Sequence, residues 1–426
     1  MKSKKRYILF FCIIALFLLS HTVFANNENT EEVNIDNIQK ELVETSSDIS
    51  KLPTINSRAA IILDRKSKTI LYGKNEKEKR KMASTTKIMT ATIVLENSNI
   101  NDIVEVSKKS AGTGGSRLGL KTGDKITVHD LLYGLMLCSG NDAAVALAEH
   151  VGGSIEGFAD LMNKKAQELN LLNTHFVTPH GLDNDDHYTT AYELAILTDY
   201  ALKNKVFAQI VNTKNYTVTI NGNSKNLSNT NELLGTLNGV YGVKTGFTNG
   251  ANRCLVTACK KNDLDIICIV LGADTKKFRT QDSIKLIEYT FNNYQNINIK
   301  KIIDSKFENW KLKNLSKFTI KKGISNKIEL SLSNIENEII PIRNNEVNAI
   351  NIKINCNTEL EAPIKENKKI GELIVNINNK KVINLDITNT INIKKKNPLN
   401  YFKYISFNYI AYLENIFQKQ FINTWH

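Results

Sequence analysis

The sequence predicts an α/β (α+β) fold in which helices flank an antiparallel sheet, followed by a small all-β domain. Between Ser57 and Tyr294 the apolar pattern runs strand, strand, several helices, three strands and a closing helix, which suits a sheet covered by helices. After Tyr294 the texture changes to short Ile/Val/Leu runs divided by Asn, Lys and Gly, with the period-two alternation of half-buried strands. A chain of 426 residues also exceeds one ordinary core and implies two domains.

The elements follow in order. Lys2, Lys4, Lys5 and Arg6 precede an apolar run from Tyr7 to Leu19, and Val23-Phe24-Ala25 supplies the small residues of a cleavage site. Residues 1–25 are therefore expected to be a signal peptide and the protein to be exported. Residues 26–56 are polar and acid-rich and read as a tether. Residues 57–294 form the expected catalytic domain. It opens with a hairpin of Ala59–Leu63 and Thr69–Tyr72, and an apolar helix over Lys87–Glu96 follows. The stretch from Gly112 to Ser116 lacks the lysine and flanking strand of a phosphate site and reads as a loop. Two helical segments over Val128–Gly152 break at Cys138-Ser139-Gly140-Asn141, and further helices cover 154–173 and Tyr192–Lys203. Strands over Val240–Lys244, Arg253–Lys260 and Leu264–Leu271, then a helix over Phe278–Phe291, complete the domain. Residues 295–396 are expected to be the β-rich domain and 397–426 an amphipathic, membrane-associating tail, with Phe402, Ile405, Tyr409, Tyr412, Leu413, Ile416 and Phe417 at helical spacing.

Composition narrows the class. With 42% hydrophobic and 23% charged residues the chain is that of a folded soluble protein. Its formal charge of +13, or +9 without the four leader bases, suits nucleic acid or an anionic envelope surface. Export selects the envelope, so no nucleic-acid partner is expected. Beyond the leader, Cys138, Cys254, Cys259, Cys268 and Cys356 are odd in number and sit mostly in apolar stretches, which favours buried free thiols over a disulfide framework. Cys254 and Cys259, five apart, fall on opposite faces of a straight strand. Neither CxxC nor HExxH spacing suggests zinc, and no cofactor or metal is expected.

The chemistry lies in three short polar elements: Ser84-Thr85-Thr86-Lys87, Ser139-Gly140-Asn141 and Lys244-Thr245-Gly246. Lys87 lies three residues from Ser84, hence on the same helix face. Burial beside Lys244 disfavours the charged amine, so Lys87 can serve as general base for Ser84 as nucleophile. Ser139 supplies a hydroxyl to relay a proton to the leaving amine. Asn141 can accept from a lysine and donate to a substrate carbonyl. Both residues also suit an N-cap of the apolar helix that follows. Lys244 and Thr245 suit a substrate carboxylate, Gly246 allows close backbone approach, and the backbone N–H groups of Ser84 and Phe247 suit a tetrahedral oxyanion. His175, His180 and His187 permit a Ser-His-Asp reading, but no Gly-x-Ser-x-Gly elbow accompanies them.

Through Ser84-x-x-Lys87, Ser139-Gly140-Asn141, His180-Gly181-Leu182-Asp183 and Lys244-Thr245-Gly246, residues 57–294 resemble the D-alanyl-D-alanine carboxypeptidases, the low-molecular-mass penicillin-binding proteins of peptidase family S11. The resemblance implies a serine β-lactamase/transpeptidase-like domain. It also implies release of the terminal D-alanine from peptidoglycan stem pentapeptides through an acyl-enzyme, with β-lactams as covalent inhibitors. In that family the C-terminal helix docks to the outer face of the cytoplasmic membrane, and the present tail matches. By motif, Ser84 resembles the acylated nucleophile, Lys87 its base, Ser139 and Asn141 the second catalytic element, and Lys244 and Thr245 the carboxylate-binding strand. Phe247 stands where some members have histidine, which bears on substrate preference. A serine β-lactamase, with Glu168-Leu169-Asn170 as its deacylation segment, is the rival enzyme; a non-catalytic wall-binding protein is the rival of another class.

Overall fold

The computed structural model describes Asn34, Ile35, Asn37, Ile38 and residues 51–423; the signal-peptide reading and most of the tether lie outside the described residues. Contacts divide the chain into one unit ending at Gln295 and another beginning at Asn296.

The first unit is built on a five-stranded sheet. Strands β1 (Ala59–Asp64) and β2 (Ile70–Lys74) pair as a hairpin. After a small two-stranded ribbon of β3 (Ile103–Glu105) and β4 (Lys125–Thr127) and a hairpin of β5 (Asn215–Ile220) and β6 (Asn223–Ser228), strands β7 (Val240–Thr248), β8 (Asn252–Lys261) and β9 (Leu264–Ala273) complete the sheet in the order β2-β1-β9-β8-β7. Every neighbouring pair in the five-stranded sheet is antiparallel. Alternation sorts the central strands onto two cores. Ala59, Ile61 and Leu63 of β1 join Ile267, Ile269 and Leu271 of β9 in the larger one, while Ala60 and Ile62 join Ile266, Cys268 and Val270 in the smaller. Burial on both faces explains why these strands read as unbroken apolar runs. Cys254 and Cys259 fall in opposite cores, and all five described cysteines are free.

The larger core is covered by helices α1 (Lys87–Asn97), α3 (Val128–Met136), α4 (Asn141–Gly152), α5 (Ile155–Glu168), α6 (Ala191–Ala201) and α7 (Lys205–Val211), with the one-turn α2 (Lys108–Ala111) before α3. The smaller core is closed by α8 (Lys276–Asn293) through Ile284, Leu286 and Ile287. Side-chain oxygens start several of these helices: Thr127, Ser154, Thr190, Asn204 and Thr275 each accept a first-turn backbone N–H. Each such cap stabilises its helix by about 1 kcal/mol.

Three expectations change. Ile35 and Ile38, assigned to a polar tether, are buried in the smaller core, because their three-residue spacing forms one apolar edge of a helical turn. The helix expected over 154–173 ends at Glu168, and Asn170 adopts a left-handed φ of 56° that terminates it. Helix α9 (Ile299–Asn314) opens the second unit where only strands were expected. Ile299, Ile303 and Phe307 are buried along one face, and Asn298 caps its N-terminus. The rest of that unit is β-rich. A four-stranded antiparallel sheet runs in the order Leu330–Leu332, Lys380–Asn389, Lys369–Ile377, Ile350–Cys356, and Thr319–Lys321 pairs in parallel with Glu359–Glu361. Helix α10 (Pro398–Asn423) closes the chain.

Candidate active site

The site forms where the edge strand β7 meets the turn before α1. Ala83–Thr86 is a 3-10 turn that passes directly into α1, tightened by Thr85 Oγ1 donating to Met82 O at 2.6 Å and Thr86 Oγ1 donating to Ala83 O at 2.8 Å. Ala83 adopts a left-handed φ of 49°, and Ser139, between α3 and α4, one of 61°. For residues with a Cβ this conformation costs on the order of 1–2 kcal/mol each, and both occur beside the polar motifs. Strain at two such points is consistent with a backbone shaped for side-chain placement.

Ser84 is half-buried, whereas Lys87, three residues on, is fully buried. The Lys87 amine lies 2.9 Å from Ser84 Oγ, 2.7 Å from Asn141 Oδ1 and 3.0 Å from the carbonyl oxygen of His180. A serine and a lysine three apart thus meet an amide from 54 residues further on, and the amide is fixed in turn. Asn141 Nδ2 donates to Gly114 O at 2.8 Å and Asn141 N to Ser116 O at 2.8 Å, so the glycine-rich loop is the anvil of the second motif. Gly115 must be small there, since a Cβ would lie 2.6 Å from Asn141 Nδ2.

Asp142, absent from the sequence reading, holds that loop. Its fully buried carboxylate accepts from the backbone N–H groups of Leu118, Gly119 and Leu120 at 2.7, 2.7 and 3.0 Å. An acid in the first turn of an otherwise Ala/Val/Leu helix was the signal that could have flagged it. The capping alternative for Ser139 and Asn141 does not hold: the N-cap of α4 is Gly140, with no side-chain capping bond. Ser139 Oγ is buried without a hydrogen-bond partner among the described residues.

The third motif lines the opposite side. β7 is the edge strand of the sheet, and one of its faces lies against the Ser84 turn: a Cβ on Gly246 would lie 3.2 Å from Met82 O and 3.2 Å from Ser84 N. Lys244 is buried and donates to Thr245 O at 3.1 Å, and Thr245 Oγ1 meets Thr230 Oγ1 at 2.7 Å. Thr230 sits in a loop rich in Asn, Ser and Thr and carries no sequence signal of its own. Burial pushes the Cys138 thiol up to about 11, the Asp142 carboxylate adds to the rise, and the nearby Lys244 amine opposes it. Phe247 pairs across the sheet with Arg253, whose guanidinium lies 3.9 Å from the ring centroid.

The His180–Asp183 segment ties these parts together. His180 O accepts from Lys87, Pro179 O accepts from Thr90 Oγ1 at 2.6 Å, and Asp183 accepts from Thr248 Oγ1 at 2.7 Å and Gly250 N at 2.9 Å beyond the end of the third motif. The imidazoles serve the backbone: His180 Nδ1 accepts from Leu182 N at 3.2 Å and His175 Nδ1 meets Asp186 O at 2.6 Å. Burial, then the neighbouring Lys87 amine and His187, hold His180 down at about 3; burial, then His175, hold His187 at about 4. With ring nitrogens engaged by backbone groups and none hydrogen-bonded to Ser84 among the described residues, these imidazoles leave the Ser-His-Asp reading without support. Glu168 is likewise engaged elsewhere. It pairs with Lys165 at 2.6 Å, and Lys165 also binds Glu96 at 3.0 Å, at the end of α1 remote from Lys87 by about 13 Å of helix.

Known proteins resemble the chain over most of its length. Residues 45–275 match the D-alanyl-D-alanine carboxypeptidase family, and residues 311–395 match the C-terminal domain of penicillin-binding protein 5. The D-alanyl-D-alanine carboxypeptidase DacF of Bacillus subtilis is 34% identical over 75% of this chain and 81% of its own length. The crystal structure of the D-alanyl-D-alanine carboxypeptidase DacD from Francisella tularensis superposes with a TM-score of 0.67 at 25% identity, covering 83% of this chain and 98% of that one. The Streptomyces K15 DD-transpeptidase superposes with a TM-score of 0.55 at 36% identity, over 57% of this chain and 99% of its own. On this sequence likeness the chain belongs to the D-alanyl-D-alanine carboxypeptidase family.

Proposed function

We propose that this protein is a serine-type D-Ala-D-Ala carboxypeptidase that removes the terminal D-alanine from peptidoglycan stem pentapeptides through an acyl-enzyme on Ser84, and that β-lactams acylate the same serine. The observation that carries the reading is the placement of the Lys87 amine. A neutral amine has two hydrogens and one lone pair. With the hydrogens on Asn141 Oδ1 and His180 O, the lone pair is left for the Ser84 hydroxyl proton.

The steps follow. Lys87 takes the proton as Ser84 Oγ bonds to the penultimate D-alanine carbonyl carbon. The oxyanion forms between the backbone N–H groups of Ser84 and Phe247, which the close approach of Gly246 to the turn favours. As the C–N bond breaks, the Ser139 hydroxyl passes a proton to the departing amine and is restored from Lys87. Water then attacks the ester carbon and gives a proton to Lys87, which returns it to Ser84 Oγ as the ester C–O bond breaks and the shortened peptide leaves. Lys244 and Thr245 receive the terminal carboxylate, while Asn141 orients the substrate amide. The free edge of β7 suits an extended peptide added alongside as a further strand.

Incubation with a fluorescent penicillin is expected to label the wild-type protein at one site, and Ser84→Ala to remove both the label and D-alanine release. Undiminished labelling of Ser84→Ala would reject the acyl-enzyme on this residue. Rapid penicillin turnover without D-alanine release would favour a β-lactamase.

Export to the outer face of the cytoplasmic membrane, with peripheral attachment through α10, belongs to the same reading. Phe402, Ile405, Phe407, Tyr409, Ile410 and Tyr412 are all exposed on α10, and Lys394-Lys395-Lys396 precedes it, a combination suited to an anionic lipid surface. No helix among the described residues is long and apolar enough to cross a membrane. Truncation after Lys396 is expected to preserve D-alanine release from a soluble peptide and to abolish co-sedimentation with anionic vesicles. Unchanged sedimentation would overturn the role of α10.

A further inference from the structure

We infer that His187 is a positioning residue for acylation, fixing through the Thr86 hydroxyl the strained turn that presents Ser84. The inference rests on Ser84 being the nucleophile of the proposed reaction. It starts from a buried imidazole that the mechanism leaves unused: His187 is 2% exposed and Thr86 fully buried.

The contacts assign every hydrogen in the chain. Val177 N donates to His187 Nδ1 at 2.9 Å, with Thr178 N at 3.4 Å, so Nδ1 is an acceptor and the ring proton sits on Nε2. His187 Nε2 lies 2.8 Å from Thr86 Oγ1 and donates to it. Thr86 must then direct its own hydrogen elsewhere, and Ala83 O at 2.8 Å receives it. Hydrogen bonds therefore run one way, from the loop backbone at Val177, through His187 and Thr86, to the carbonyl of Ala83. Ala83 is the left-handed residue immediately before Ser84, and nothing in its own side chain favours that conformation. Phe176, edge-on to the imidazole with ring centroids 5.7 Å apart, fixes the ring plane.

The chain also links two catalytic coordinates. The loop that anchors His187 supplies, at His180, the carbonyl that holds Lys87, so nucleophile turn and base are referenced to one segment. Loss of His187 frees the Thr86 hydroxyl to rotate and lets the turn relax, moving Ser84 Oγ relative to Lys87 without removing either. Displacements of about 1 Å in such a pair reduce rates by up to about 10²-fold.

The experiment compares His187→Leu, Thr86→Val, the double variant and His187→Gln in the full chain. It measures the second-order rate of labelling by fluorescent penicillin and the urea unfolding midpoint. Each single apolar variant is expected to acylate about 10- to 100-fold more slowly, with the double variant no slower than the worse single, since both cut one chain. His187→Gln, whose amide can both accept from Val177 N and donate to Thr86, should recover most of the rate. Wild-type acylation rates for the folded fraction of Thr86→Val or His187→Leu would overturn the inference, as would multiplicative effects in the double variant. Should His187→Leu fail to fold, the near-isosteric Thr86→Val decides alone. Labelling that persists in Ser84→Ala would instead overturn the underlying reaction, so the two failures are distinct.

Discussion

Replacing Lys87 by methionine is expected to slow penicillin acylation by about 10³-fold or more while leaving the protein folded. Methionine is close in length to the lysine stem and suits a fully buried position packed on α1. What it lacks is a proton acceptor for Ser84 and donors for Asn141 Oδ1 and His180 O. General-base assistance is worth about 10²–10⁴ in rate, and release of the Asn141 side chain adds to the loss. Two buried acceptors left without donors cost about 1–3 kcal/mol each, so the urea midpoint should fall, and the labelling rate is read on the folded fraction. The measurement is the pseudo-first-order labelling rate across penicillin concentrations, which separates binding from the chemical step. A fall of less than tenfold in the chemical step would remove Lys87 from the role of base. Lys87→Arg should be nearly as slow, because a guanidinium cannot lose its proton under working conditions and so cannot accept one from Ser84.

Much of this arrangement was legible in the sequence, and the reasons are physical. Ser84 and Lys87 are three apart, so local geometry alone placed them together. The central strands are buried on both faces and announced themselves as apolar runs. Where the signal depended on long-range contact it vanished. Thr86 and His187 are 101 residues apart, and neither threonine nor histidine in a polar loop points to the other. Helix α9 was missed for a different reason: Lys, Asn and Asp crowd its exposed side, and the stripe of Ile299, Ile303 and Phe307 is thin enough to pass for strand residues between turns. Asp142 stood in plain view beside Asn141, but its use, gathering three backbone N–H groups of a loop more than 20 residues away, is a property of the folded loop alone.

Gly181→Ala is expected to destabilise the protein by about 2–5 kcal/mol and to depress acylation in whatever fraction remains folded. Gly181 has a φ of +85°, and a Cβ there would overlap the carbonyl oxygen of Ala83 and lie 2.5 Å from Thr86 Oγ1. The first term is conformational, about 1–2 kcal/mol; the second is overpacking against backbone that cannot swing aside, about 1–3 kcal/mol. Gly153→Ala separates them. Gly153 also has positive φ, +72°, at the end of α4, but nothing lies within 4 Å of its would-be Cβ, so only the conformational cost applies. Gly181→Ala should therefore unfold at distinctly lower urea than Gly153→Ala, and only the former should slow labelling, because relief of the overlap must push the Ala83 carbonyl, and with it Ser84, away from Lys87. Equal midpoints for the two variants would mean that the His180–Asp183 segment does not press on the nucleophile turn. A normal labelling rate in folded Gly181→Ala would mean that the turn tolerates displacement, and the close packing of that loop against Ser84 would then have no part in catalysis.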